Sequence, residues 1–155
     1  MKIMLSEGGI MPNRAHDWDG GLDLFSPCNV TIPKSQAVFH RDIITNEIVV
    51  DVRVGSAVID TKTHVQIPEG TVGLLKSKSG LMVNHGLTTD GTIDAHYTGP
   101  IKVILFNHTN KDYHVMAGDK IAQLVIVPCL LPELELVDHL DETDRGDNGF
   151  GSTGR

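Results

Sequence analysis

Short apolar runs rich in valine and isoleucine recur along this chain, each broken by polar or turn-forming residues, and none repeats at helical spacing over any distance. They cover residues 22–26, 28–32, 43–54, 57–59 and 64–67, then 71–77, 101–107, 112–115 and 121–128. Turn signals fall between them at Pro33-Lys34, Pro68-Glu69-Gly70, Thr98-Gly99-Pro100 and Ala117-Gly118-Asp119. Strands at this spacing predict an all-β sandwich or barrel. One short helix is expected over 79–84, with Ser79 as its cap. Residues 91–99, with glycine at both ends, predict a β-hairpin, and the acidic stretch 133–144 with interleaved leucines predicts one last strand.

Composition strengthens that reading. Valine and isoleucine total 28 against six alanines, with 16 glycines and seven prolines, a balance that favours strands and tight turns. At 155 residues the chain is expected to be one domain with a tail, and 40% hydrophobic with 21% charged residues excludes wholesale disorder. No run approaches the roughly 18 to 20 apolar residues of a membrane span. The opening seven residues hold too short an apolar run for a signal peptide, so a soluble protein of the cytoplasm, or of a host cytoplasm, is expected. Two cysteines, Cys28 and Cys129, argue against a disulfide scaffold and a four-cysteine zinc site. The eight histidines show no zinc-ligand spacing. A net charge of −7 argues against a general nucleic-acid surface. Any polyanionic ligand must be held by a few local cations and backbone N–H groups.

Five segments carry candidate chemistry, and each has a plainer meaning when taken alone. Lys76-Ser77-Lys78-Ser79-Gly80-Leu81 offers a cation, a hydroxyl and a helix start to a phosphate, or is simply a cap beside a solvated lysine. Gly91-Thr92-Ile93-Asp94-Ala95-His96-Tyr97-Thr98-Gly99 exposes backbone groups able to read the edge of a base. Within it Asp94 can act as a general base and Tyr97 can pack a sugar; the plainer meaning is an aspartate in a turn. Gly20-Gly21-Leu22-Asp23-Leu24 sets an acid at a strand start, and Ala117-Gly118-Asp119-Lys120-Ile121-Ala122-Gln123-Leu124 sets Gln123 in an apolar strand. The stretch 145–155 places Arg145, Phe150, Ser152 and Thr153 among glycines. Those are the parts of a phosphate-and-base clamp, or a flexible terminus.

In this order and spacing the five segments resemble the motifs of the trimeric dUTPase family, over about residue 15 to the end. Motif one is Gly20-Gly21-Leu22-Asp23-Leu24, where the family shows Ala-Gly-Tyr-Asp-Leu, and motif two is Lys78-Ser79-Gly80-Leu81. Motifs three, four and five fall on 91–99, 117–124 and 145–154, and three and five are the specific ones. The resemblance implies a distorted β-barrel or jelly roll with one short helix, spanning 1–144, and a flexible C-terminal clamp, 145–155.

It further implies hydrolysis of dUTP to dUMP and pyrophosphate, with Mg²⁺ on the triphosphate. That reaction limits uracil in DNA and supplies dUMP for thymidylate synthesis. By the same resemblance Asp94 is the catalytic base toward the water that attacks the α-phosphorus, and Tyr97 packs against deoxyribose and excludes a 2′-hydroxyl. Gly91, Thr92 and Ile93 pair with uracil through their backbone. Lys78, Ser79, Gly80 and Gln123 face the phosphates, and Asp23 lies near the Mg²⁺ through water. Arg145 grips the γ-phosphate, Phe150 stacks on uracil, and Gly151, Ser152 and Thr153 complete the clamp. A homotrimer is implied, with each site built from three subunits.

The chain departs from the family in three places. Ser77-Lys78 stands where Pro-Arg is usual, which keeps a charge and loses a bidentate fork. Thr88 stands where some members carry a base-contacting asparagine. Residues 40–56 form a longer connection than the family core needs, either a decorative extra hairpin or a surface for a regulatory protein partner. A dCTP deaminase, or a fused deaminase and dUTPase, shares the fold; Tyr97 and the full motif five favour the dUTPase. A dUTP-gated regulatory binding protein is the rival from another class. Phage or cellular origin stays open.

Overall fold

The computed structural model describes residues 1–147, so Phe150, Gly151, Ser152 and Thr153 lie outside the described residues. The strands are β1 (Lys2–Leu5), β2 (Gly21–Phe25), β3 (Val30–Ile32), β4 (Gln36–Arg41), β5 (Ile48–Arg53), β6 (Gly55–Gln66) and β7 (Thr71–Lys76). After helix α1 (Ser79–His85) come β8 (Leu87–Thr88), β9 (Asp90–Ile93), β10 (Pro100–Asn107), β11 (Tyr113–Val115) and β12 (Lys120–Pro128). One sheet runs β1-β6-β10-β8 and a second runs β2-β12-β7-β9, with two ribbons, β3–β11 and β4–β5. Every pairing is antiparallel. The arrangement is jelly-roll-like, and the sheets stay open at their edges, so the barrel alternative gives way.

Period-two alternation builds the core. On β10, Ile101, Val103, Leu105 and Asn107 point inward and the residues between them outward. They join Ile59 and Val65 of β6, Leu24, Leu75, Ile121 and Leu124 of the second sheet, and Ile32 and Val115 of the β3–β11 ribbon in one apolar cluster. Asn107 is buried among them with its amide fully used. It donates to the carbonyls of Ile32 and Lys111 and accepts from Thr109.

Several expectations change. The runs 57–59 and 64–67 belong to one strand, because the threonines between them are buried and satisfied: Thr61 Oγ1 donates to the Ile101 carbonyl at 2.8 Å. The run 43–54 is no single strand. Asp42 accepts from the backbone N–H of Ile44 and Thr45, and Asn46 takes φ 61°, which turns the chain before β5. The strand expected over 133–144 is absent among the described residues, and β12, which precedes it, already has β2 and β7 on its two sides, so the segment cannot fold back beside it. No described helix is long and apolar enough to cross a membrane.

Candidate functional site

Register sets the first half of the site. Asp90 pairs with Lys76, Lys76 with Gln123, and Gln123 with Asp23, so four polar residues form one row across β9, β7, β12 and β2. Residues directly opposite share a face of the sheet. Along the row, Gln123 Nε2 donates to Asp23 Oδ1 at 3.2 Å, and Lys76 Nζ pairs with Asp90 Oδ1 at 2.9 Å. Just past β7, Lys78 Nζ reaches Asp23 Oδ1 at 2.6 Å. From the start of β12, Lys120 Nζ reaches Asp23 Oδ2 at 2.7 Å, with its ammonium 5.9 Å from the Phe25 ring centre.

Asp23 is only 3% exposed. Burial alone pushes its carboxyl upward, but hydrogen bonds from Lys120 and Lys78, the charge of Lys78 and the Gln123 amide outweigh it, and the group is held below its ordinary value. Two ammoniums on one carboxylate leave this corner with a net positive charge, which suits an anionic ligand. The sequence reading found Asp23, Lys78 and Gln123 but missed Lys120, whose signal was the lysine after the Gly118-Asp119 turn.

Lys78 also corrects the helix cap. The capping position is Lys78, with φ −76° and ψ 127°, and no side chain bonds the first turn. Ser79 is already helical, so its hydroxyl cannot cap, and it has no protein partner among the described residues. At Gly80 an added Cβ would meet nothing within 4 Å. The fold itself does not require glycine there.

Ser77, in place of the family's usual proline, holds the loop before β9. Its Oγ donates to the Thr89 carbonyl and accepts from the Thr89 N–H, each at 2.9 Å. Thr89 Oγ1 is buried without a hydrogen-bond partner among the described residues. Thr88 is drawn into the other sheet, where it pairs with Phe106 and its hydroxyl contacts His108 Nε2 at 2.7 Å.

The second half of the site lies elsewhere. The expected hairpin over 91–99 is a corner instead: β9 pairs with β7 in one sheet, whereas β10 pairs with β6 and β8 in the other. A turn closes it through Tyr97 N–H to the Asp94 carbonyl at 3.0 Å. Tyr97 Oη donates to the Pro100 carbonyl at 2.9 Å, and its ring lies so close over Gly99 that a Cβ there would sit 2.5 Å from the hydroxyl. His64 of β6 braces the corner through Nδ1 to the Thr98 carbonyl, with Ser6 on its Nε2, both at 2.9 Å. Neither residue was legible as a site support. The Asp94 carboxylate has no protein partner among the described residues and borders a cleft of about 670 Å³ that Val72 and Leu131 also line.

One chain does not unite the two halves. Asp94 follows Ile93, which pairs with Gly73, five residues before Lys78. At strand rise that is roughly 17 Å. Asp23, Lys78, Lys120 and Gln123 stand at one end of the second sheet, and Asp94 and Tyr97 at the other. Arg145 lies in a turn that Gly146 closes by donating to the Thr143 carbonyl.

Among the described residues no three histidine, cysteine or acidic side chains group to hold a metal. Both oxygens of Asp23 already face ammoniums, so direct ligation of a divalent cation does not fit there without displacing a lysine.

A sequence model of the dUTPase family matches residues 37–154. The deoxyuridine 5′-triphosphate nucleotidohydrolase of Arabidopsis thaliana is 40% identical over 151 residues, 97% of this chain and 80% of that one. Among solved structures, the dUTPase of Staphylococcus bacteriophage 80alpha with dUpNHpp is 32% identical, with a TM-score of 0.80 over 99% of this chain and 98% of that one. The dUTPase of the S. aureus phage phi11, whose structure concerns a structural Mg(II) ion, is 31% identical, with a TM-score of 0.72 over 89% and 96%.

Proposed function

This chain belongs to the dUTPase family and hydrolyses dUTP, and from that premise we propose how its residues divide the work. Asp94 takes a proton from the water that attacks the α-phosphorus; the bond to the bridging oxygen breaks, and pyrophosphate leaves dUMP behind. Phosphoryl chemistry asks mainly for a placed water and neutralised charge. Lys78, Ser79, Gly80 and Gln123 meet the phosphates, the backbone of Gly91, Thr92 and Ile93 meets uracil, and Tyr97 meets the sugar. Arg145, with Phe150, Gly151, Ser152 and Thr153, closes over the nucleotide. Mg²⁺ bound to the triphosphate would offset its charge as part of the substrate. Asp23 would face it through water, with Lys120 still on one of its oxygens.

The separation of Asp94 from Lys78 along β7 carries the proposal that the site is shared between chains. A positioned base contributes typically 10² to 10⁴ in rate only within hydrogen-bond reach of its water. A second copy supplying the Asp94 corner restores that reach, and a homotrimer supplies it three times by symmetry.

Mixing tests this. Asp94→Asn and Lys78→Met variants are each expected to turn over dUTP poorly. Co-refolded in equal amounts, they should regain about a quarter of wild-type activity, because about one site in four then draws both intact groups. No regain, or an active monomer in sedimentation, overturns the shared site. Turnover of dCTP in place of dUTP would overturn the reaction assigned.

A further inference from the structure

Asp23 has one more cation than it needs. Lys78 and Lys120 each make a short ion pair with it, one on each oxygen, and the residue is almost wholly buried. A buried carboxylate cannot lose its last cation cheaply, since an unpaired buried charge is strongly destabilising. With a single lysine present, that lysine would be trapped. With two, one is able to leave.

The two are held differently. Lys120 opens β12 beside Phe25, at a step in the pairing register, and is the more exposed of the two, but its ammonium has a second neighbour in the Phe25 ring. Lys78 sits in the irregular step between β7 and α1, directly before Ser79 and Gly80. It adjoins the hydroxyl that has no protein partner and the glycine with open space above it. Lys78 is therefore the one placed to turn to an incoming anion, and Lys120 the one placed to stay with Asp23.

We propose that Lys120 is a positioning residue for substrate capture, keeping Asp23 compensated while Lys78 exchanges its carboxylate for the incoming triphosphate. This rests on the dUTP-hydrolase reading of the same site. Lys120 touches no substrate in this scheme. It sets how readily Lys78 becomes available, so its loss weakens binding and spares the chemical step.

The test compares wild type, Lys120→Met, Lys120→Arg, Asp23→Asn and the Asp23→Asn/Lys120→Met double variant in dUTP turnover. Titration with a non-hydrolysable dUTP analogue runs alongside. Lys120→Met is expected to raise KM and the analogue's Kd about 10-fold or more with kcat held within about threefold, and Lys120→Arg to restore both. In the Asp23→Asn background there is no carboxylate to compensate, so Lys120→Met should change KM by less than about twofold. An unchanged KM in Lys120→Met, or a fall in kcat alone, overturns the proposal. A KM rise that persists in the Asp23→Asn background also overturns it and makes Lys120 a direct phosphate contact. Should Lys120→Met fail to fold, as judged by melting and sedimentation, Lys120→Gln carries the same comparison, with the same KM rise expected. A wild-type protein that leaves dUTP intact defeats the functional reading instead.

Discussion

At the scale of single residues, two side chains show how local geometry sets the chemistry. Asp23 is buried yet ionised because three donors surround it, and its carboxyl is held below the ordinary 3.8. A group with a lower pKa folded than unfolded stabilises the fold fully above the unfolded value, and that contribution is lost as pH falls through the folded one. Asp23→Asn should therefore lower stability at neutral pH, by about 1 to 3 kcal/mol because both lysines can turn to water. The gap to wild type should narrow steadily below about pH 4. Melting curves across that range check it, and a gap independent of pH would remove the ion cluster from the stability of the fold. Tyr97 depends on the bare α-carbon of Gly99. Gly99→Ala should push the ring aside and lower the dUTP-over-UTP preference in kcat/KM by about 10-fold with little change in melting temperature, because only a half-exposed ring must move. An unchanged ratio would take the sugar contact away from Tyr97.

Among the elements, the β4–β5 ribbon stands apart. Its Ala37, Phe39, Ile48, Val50 and Val52 share one face by register, and Ile43 at its tip is 98% exposed. A two-stranded ribbon alone is marginal in water, so this one lives on its turn chemistry at Asp42 and Asn46 and on cross-strand pairs such as His40–Asp51. It adds nothing to the core. Gln36 and Arg53 are cross-strand partners, so replacing 37–52 with Asn-Gly closes the chain by a two-residue turn. The excised protein should keep its melting temperature within a few degrees and its dUTP turnover within about twofold. Loss of assembly or turnover would instead make the ribbon part of the enzyme.

For the whole molecule, the stretch after β12 is decisive. Leu130, Leu131, Leu134, Leu136 and Leu140 are almost wholly exposed along a segment with no strand or helix. Five leucines so placed bury nothing within one chain, and covering them calls for another surface. Two truncations separate assembly from catalysis. Ending the chain at residue 128 should break the proposed trimer, whereas ending it at residue 144 should leave that trimer intact and remove efficient hydrolysis along with Arg145 and Phe150. Sedimentation and dUTP turnover read the two effects separately. Full activity after the shorter cut would return the tail to a plain terminus, and a trimer surviving the longer one would place its contacts elsewhere.

The sequence by itself determined the β architecture, because alternation of buried and exposed positions in β10 and β12 is a local property written residue by residue. Motif order likewise marked Asp23, Lys78, Asp94, Tyr97 and Gln123 with no contact needed. Only the tertiary structure decided which of these meet. Pairing register is set by packing between strands distant in the chain, so the row from Asp90 to Asp23, and with it the capture of two lysines by one carboxylate, is invisible along the sequence. The same physics turned the 91–99 hairpin into a corner. Two strands adjacent in sequence pair in different sheets, β9 with β7 and β10 with β6 and β8, and that pairing sets Asp94 at the far end of β7 from the lysines on Asp23.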